Sequence, residues 1–244
     1  MVVNDGTAWS ENATDDFQSC LDGLPAILVN NDRVRGAGGA WNTGLSALLK
    51  RGHAGFVAML DDDDEWESDH LATNLEVATR QQSNIVVSGL RIRSAAGEIP
   101  REFITTLRDR DFLTGNPGWQ GSNTFVSMEL LAGVGGFRES LRSLHDRDLA
   151  IRLLRHPDAR PALVQHWTAT WRIDLPGRLS DRRGSAKLDG LRTFWTIYGH
   201  EMSEPERAAF FDRADRLFGF SSQEICMANV APAWDRTIAG DFRA

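Results

Sequence analysis

The sequence predicts an α/β layered fold: a mainly parallel, mixed sheet flanked by helices, with a helical extension at the C-terminal end. Three observations predict it. Strand-length apolar runs alternate with helical stretches through the first half of the chain, the pattern of a sheet built with crossover helices. The first three apolar runs each end in polar residues: Val2-Val3 at Asn4-Asp5, Ala26 to Val29 at Asn30, and Phe56 to Leu60 at four consecutive aspartates, Asp61 to Asp64. Ligands of such sheets gather at the carboxyl ends of the strands. Beyond residue 184 the apolar residues Leu188, Leu191, Phe194, Trp195 and Tyr198 follow helical spacing.

The totals set the frame. The 244 residues are 41% hydrophobic and 25% charged, which suits one large domain, or one domain with a helical extension. The net charge of -7 gives no electrostatic case for nucleic acid. Two cysteines, Cys20 and Cys226, are no disulfide framework. No apolar run approaches the roughly twenty residues that span a bilayer, and Met1-Val2-Val3 turns polar at Asn4 instead of continuing as a signal peptide. A cytoplasmic protein is expected, free or peripheral to the inner face of a membrane.

In chain order, Val2-Val3 is the end of a short strand, and Asn4-Asp5-Gly6 is turn chemistry. A helix is expected over Thr14 to Leu21 and a second strand over Ala26 to Asn30. Arg33 to Gly44 is a glycine-rich loop leading into a helix that carries Leu45, Leu48 and Leu49. Gly36, Gly38 and Gly39 form neither a dinucleotide fingerprint nor a P-loop. The third strand, Phe56 to Leu60, runs into the aspartates. Extended backbone through that cluster would turn Asp61 and Asp63 to one side and Asp62 and Asp64 to the other. So many like charges need neutralising, and a divalent cation takes carboxylate oxygens; a solvated acidic loop with Asp64 or Ser68 capping a helix is the alternative. Counting from Asp61, a calcium loop of the EF-hand type would need glycine at Trp66 and glutamate at Ala72, so it is excluded.

A helix over Leu71 to Gln82 and a strand over Asn84 to Arg93 follow, with a hairpin turn at Ala95 to Glu98. Leu107 to Leu113 is ambiguous, Asn116 to Asn123 is a loop, Thr124 to Val126 a strand and Met128 to Ala132 a short helix. Gly135-Gly136 bends the chain before a helix that starts near Asp146 and stops at Pro157. Asp146 and Asp148 therefore lie in a first helical turn, either as a cap with favourable charge at the positive end or as a base at the sheet's mouth. Leu163 to Ile173 alternates, which predicts a strand with one packed face. On it His166 is a metal ligand or a hydrogen-bonded structural residue. Asp174 to Gly184 is a basic, breaker-rich loop, expected to be mobile and to bring Arg178, Arg182 and Arg183 over a diphosphate. Ser203 with Glu206 predicts a capping box, and the helical tail would pack on the main domain or on a partner subunit of a homo-oligomer. Trp119, like several tryptophans in turn-like segments, is either core or a stacking surface for a sugar or base.

Four segments in order resemble the family 2 glycosyltransferases of the GT-A fold. They are VVNDGT (Val2 to Thr7), GAGGAWNTGLSALL (Gly36 to Leu49), FVAMLDDDDEW (Phe56 to Trp66) and GVGGFRESLRSLHDRDLAIRL (Gly133 to Leu153). They look like that family's "VVDDGS", "G-x-x-x-ARNxGL", "LDxDDxW" and "VGGFDE…EDxDLxxRL" segments. The resemblance implies a metal-dependent, inverting transfer of a sugar from a nucleotide-diphosphate donor, UDP-linked, to a saccharide or other hydroxyl acceptor, in a setting such as polysaccharide biosynthesis. It implies that Asp5 contacts the base, with Asn4 beside it in place of an aspartate. Asp61 and Asp63 become the DxD pair, Asp63 on Mn2+ or Mg2+ and Asp61 near the ribose or the metal, with Asp62 on the donor. Asp146 becomes the catalytic base. His145, Asp148 and Trp119 fall on the acceptor side. The family's arginine before Asn42 is Trp41 here, which Arg33 or Arg35 would replace as a donor contact, and its glutamate before Asp146 is His145. The family's usual strand and "PTYN"-like loop before the first motif, a strand that would be central in the donor half, do not precede Val2. The domain expected covers 1–175, with a donor half over 1–95 and an acceptor half over 96–175; 176–244 is the loop and helical extension. Two other readings remain open: an inactive nucleotide- or sugar-binding relative, and a nucleotidyltransferase.

Overall fold

The structure, a computed structural model, describes residues 1–7, 9–20, 23–173 and 181–227. The strands are β1 (Val2–Asn4), β2 (Leu28–Asn30), β3 (Phe56–Ala58), β4 (Glu65–Trp66), β5 (Ile85–Ser94), β6 (Gly97–Pro100), β7 (Thr124–Ser127) and β8 (Pro161–Arg172). The helices are α1 (Glu11–Cys20), α2 (Ala37–Lys50), α3 (His70–Gln81), α4 (Asp111–Thr114), α5 (Met128–Gly133), α6 (His145–Arg155), α7 (Ser185–Tyr198), α8 (Glu204–Arg213) and α9 (Ser222–Cys226). A 3-10 turn covers Gly121–Asn123, and a π-helical turn, Ala214–Phe218, continues α8.

β1 and β2 pair in parallel as a two-stranded sheet. The other strands form a six-stranded sheet in the order β3-β7-β5-β8-β4, with β6 also on β5. Only β5–β8 is parallel there; β3–β7, β5–β7, β5–β6 and β4–β8 are antiparallel. The expectation of a mainly parallel sheet is corrected to this mixed one. Alternation along the chain counts crossovers but does not say which strands become neighbours, and β7 enters between β3 and β5 running against both.

The core forms where β5 crosses the sheet. Ile85, Val86 and Val87 are buried completely or nearly so, with Leu45 of α2, Val126 of β7 and Leu149, Ile151 and Leu153 of α6. Phe194 and Tyr198 of α7, Phe210 of α8 and Phe220 belong to the same apolar cluster as Ile85 and Val87. The C-terminal helices thus pack on the sheet domain itself. β8 departs from its alternating pattern: Thr168, Ala169 and Thr170 are all buried, because β5 lies on one side, β4 on the other, and α3 packs on β8. The capping box at the start of α8 is present, with the Ser203 side chain and N–H both on Glu206. No described helix is long and apolar enough to cross a membrane.

Candidate active site

The acidic run is a turn. β3 ends at Ala58, and the Asp64 N–H closes a turn by donating to the Asp61 carbonyl at 3.2 Å. Strand geometry therefore does not persist through the cluster, and the even–odd division of its side chains fails. Asp61, Asp62 and Asp63 all line one cavity of about 430 Å3. Asp64 alone turns inward, accepting from Ser122 Oγ at 2.7 Å and from the Arg172 N–H at 3.1 Å. It locks the turn to β8 and to the 3-10 turn. Asp61 lies against Gly121, where a Cβ would come within 3.3 Å of its carboxylate, and its own N–H donates to Ser122 Oγ. Burial, then the charges of Asp64, Asp63, Asp146 and Asp62, pushes the Asp61 carboxyl from 3.8 up to about 7.

Asp146 stands in the first turn of α6 and lines the same cavity. Asn116 Nδ2 donates to its Oδ2 at 2.6 Å, and the Arg147 N–H donates to its Oδ1 at 2.9 Å. Asn116 also organises its own loop, accepting from the Gly118 and Trp119 N–H groups at 2.8 Å. Leu144, just ahead of α6, is held at φ 68, a strained value for leucine. His145 fills the cavity wall beside Gly38, where a Cβ would touch its ring at 3.2 Å. Burial lowers its imidazole pKa, against the pull of Asp146.

Several expected site residues do something else. Asp148 is completely buried, with Arg138 Nε on Oδ1 at 3.0 Å, Arg152 Nη2 on Oδ2 at 2.6 Å and the Tyr198 hydroxyl donating to Oδ1 at 2.7 Å. It pins α6 to α7 and cannot face an acceptor. Trp119 is 1% exposed, with Nε1 on Thr124 Oγ1 and its ring edge-on to Phe112; it is cavity wall, with no face open for stacking. His166 is exposed and sits 3.3 Å from Asp69 on the far part of β8, away from the cavity lining, so it is no partner for the Asp61 cluster.

Asp5 holds the glycine-rich loop, accepting from Asn31 Nδ2 and, at 2.8 Å, from the Gly36 N–H. Asn4 closes its turn by accepting from the Gly6 N–H and donating to Thr7 and Asn30 oxygens. Neither lines the cavity, but the helix they anchor brings Ala37 and Trp41 to it. Arg35 is exposed and outside the lining. Arg33 cannot replace the missing donor arginine: it is buried against Glu139 at 2.9 Å, and Asn42 Nδ2 donates to the same carboxylate. Arg182 donates to the Arg216 carbonyl, and Arg183 donates to the Gly219 carbonyl and Glu224. Both are tied to the C-terminal helices, while Arg178 and the rest of 174–180 lie outside the described residues.

Asn116, Lys187 and Arg213 line the cavity and were not anticipated from the sequence. Lys187 carried a readable signal, because it falls on the same helical stripe as Gly190, Leu191, Phe194 and Tyr198, all buried. A lysine on a buried stripe needs a reason.

A family model for glycosyl transferase family 2 matches residues 1–133. The chain belongs to that family. No curated protein matches it. Among solved structures, this family 2 glycosyltransferase is similar to S. aureus TarS 1–349 in complex with UDP-GlcNAc: 16% identity and a TM-score of 0.59, over 94% of this chain and 66% of that one. A second structure of S. aureus TarS 1–349 gives 15% and 0.57, over 91% and 62%. GalNAc-T7 with UDP, GalNAc and Mn2+ gives 12% and 0.54, over 91% and 49%. The chain thus spans about three fifths of the TarS fragment and about half of GalNAc-T7. These likenesses are of fold, and the GT-A architecture expected from the sequence stands.

A divalent cation fits this site in one way. Among the described residues no group of three His, Cys, Asp or Glu side chains could hold a metal unaided. Asp61 and Asp63 offer two carboxylates in a crowded acidic turn, enough for Mg2+ or Mn2+ when substrate phosphates and water complete the shell.

Proposed function

We propose that this chain transfers a glycosyl group from a nucleoside-diphosphate sugar, UDP-linked, to a hydroxyl acceptor, with inversion at the anomeric carbon. The observation that carries the reading is that Asp61, Asp62 and Asp63 share one cavity with an independently anchored carboxylate, Asp146. Asp61 and Asp63 would hold Mn2+ or Mg2+ at the donor end, with Asp62 beside the donor. When bound, the cation would neutralise charge on the departing diphosphate.

Asp146 would accept the proton of the acceptor hydroxyl as that oxygen attacks the anomeric carbon. The bond from that carbon to the diphosphate oxygen breaks in the same displacement, and the nucleoside diphosphate leaves. One displacement inverts the centre and needs one base. A retaining glycosidase, by contrast, uses two carboxyl groups flanking the bond. Asn116 and the Arg147 N–H would fix the Asp146 carboxylate, so that little ordering is left to the reaction itself. Asp5 and Asn4 would act on the donor indirectly, by setting the glycine-rich loop and α2 against the cavity.

The test is UDP release from a panel of UDP-sugars supplied with Mn2+ and simple hydroxyl acceptors. Turnover of at least one donor is expected, reduced about 10²- to 10⁴-fold by Asp146→Asn. Equal turnover in the variant would remove Asp146 as the base.

A further inference from the structure

We propose that Lys187 and Arg213 form an oxyanion subsite for the acceptor, which therefore carries a phosphate or carboxylate group close to the hydroxyl that is glycosylated. This rests on the transferase reading above and names the acceptor's chemistry. Both side chains come from the C-terminal helices, α7 and the end of α8, outside the segment that matches the family.

The position of Lys187 is unfavourable in three ways. It is 6% exposed, and a buried ammonium is costly unless it is paired. It sits in the first turn of α7, the positive end of the helix. It lies near two further cations, Arg147 and Arg213. Among the described residues neither Lys187 nor Arg213 makes an ion pair or a side-chain hydrogen bond; Lys187 has the Phe218 ring, 4.6 Å from its Nζ. Burial accordingly pulls its pKa from 10.5 down to about 8. Among the described residues Asp146 attracts the ammonium without making an ion pair with it, whereas an anion in the cavity would pair with it directly.

The fold forces the placement. Gly190, one turn after Lys187 on the same face, presses on the chain just ahead of α6, where a Cβ would fall 2.2 Å from Ser143 Oγ and 2.9 Å from the Ser143 backbone. That contact carries Lys187 to the cavity beside His145 and Asp146. Ser143 lines the same cavity, and its Oγ is buried without a hydrogen-bond partner among the described residues.

The cavity is therefore polarised. The carboxylates acting on Asp61 are Asp62, Asp63, Asp64 and Asp146. The charges acting on Lys187 are Asp146, Arg147 and Arg213, with none of the acidic turn among them. Asp146 is the common neighbour, and the cations lie beyond it. With the donor diphosphate at the acidic turn and the base between, a group held by Lys187 and Arg213 belongs to the acceptor.

The test titrates inorganic phosphate, and separately acetate, into metal-free protein by calorimetry, and UDP with Mn2+ in parallel. The native chain is compared with Lys187→Met and Arg213→Gln. Phosphate is expected to bind the native chain and to weaken at least tenfold in both variants, while UDP–Mn2+ affinity changes less than threefold. Acetate binding of equal strength would assign the subsite to carboxylates; phosphate binding alone would assign it to phosphates. Lys187→Met should melt at the same temperature or higher without phosphate, since it replaces an unpaired buried ammonium by an apolar chain of similar length. A lower melting point would mark Lys187 as structural and overturn the proposal. So would phosphate binding that is absent or insensitive to both variants, or a tenfold loss of UDP–Mn2+ affinity in them, which would assign the cations to the donor diphosphate. Lys187-dependent phosphate binding without any UDP binding would sink the transferase reading and uphold the anion site; UDP binding without phosphate binding would do the reverse.

Discussion

At the scale of single residues, the acidic turn divides its aspartates by what each touches. Asp64 is consumed by Ser122 and the Arg172 N–H, while Asp61 is left recessed in the cavity with its acidic neighbours. Its carboxyl, raised to about 7 against 3.8 for an ordinary aspartate, holds a proton at pH 6 that the unfolded chain has mostly lost. For this group the sign follows directly: the folded state binds more protons between about 4 and 7, so its contribution to metal-free stability declines as pH rises through that window. A cation at Asp61 must displace that proton. Mn2+ binding should therefore release close to one proton at pH 6 and close to none at pH 8.5, read by calorimetry in buffers of different ionisation enthalpy. Heat at pH 6 that is independent of the buffer would mean that Asp61 is not a ligand. The sequence shows an acidic cluster at a strand end, and that much was legible. Which carboxylates face the cavity was not, because a turn and not an extended strand carries them. Asp148 illustrates the same limit. Its place two residues after Asp146 says nothing of Arg138, Arg152 and Tyr198, which close around it from ten, four and fifty residues away.

At the scale of elements, the local signals were the reliable ones. The capping box of α8, the strand β5, the helix α3 and the start of α6 near Asp146 all follow from spacing and turn chemistry, and all are present. Pairing was less legible, because strand neighbours are chosen by packing across the whole sheet. α7 joins the two levels. Its contact with the chain ahead of α6 depends on the missing Cβ of Gly190, since an added one would meet Ser143 at 2.2 Å. Gly190→Ala should therefore cost about 1–3 kcal/mol, the usual range for overpacking, despite alanine's better helix propensity. Chemical denaturation measures it. A stability equal to or above that of the native chain would show that α7 is not pressed against Ser143 in solution.

At the scale of the molecule, the cavity is assembled from all parts of the chain. The turn after β3 supplies Asp61, Asp62 and Asp63, the loop before β7 supplies Asn116, α6 supplies Asp146, and α7 and α8 supply Lys187 and Arg213. The buried Arg33–Glu139 pair, with Asn42 Nδ2 on the same carboxylate, ties the glycine-rich loop and α2 to the segment leading into α6. The acidic turn and the Asp146 carboxylate were legible because one sits where a strand's apolar run stops and the other where a helix's apolar face begins. The cationic end was not, because its residues meet only after the C-terminal helices pack. The central claim is that the cavity has a donor end at Asp61 to Asp63 and a separate base at Asp146. Calorimetry of UDP with Mn2+ on the native chain, Asp63→Asn and Asp146→Asn tests it most directly. Binding to the native chain should fall at least thirtyfold in Asp63→Asn and stay within about threefold in Asp146→Asn. Equal affinity in Asp63→Asn, or a loss in Asp146→Asn as large as in Asp63→Asn, would contradict the account.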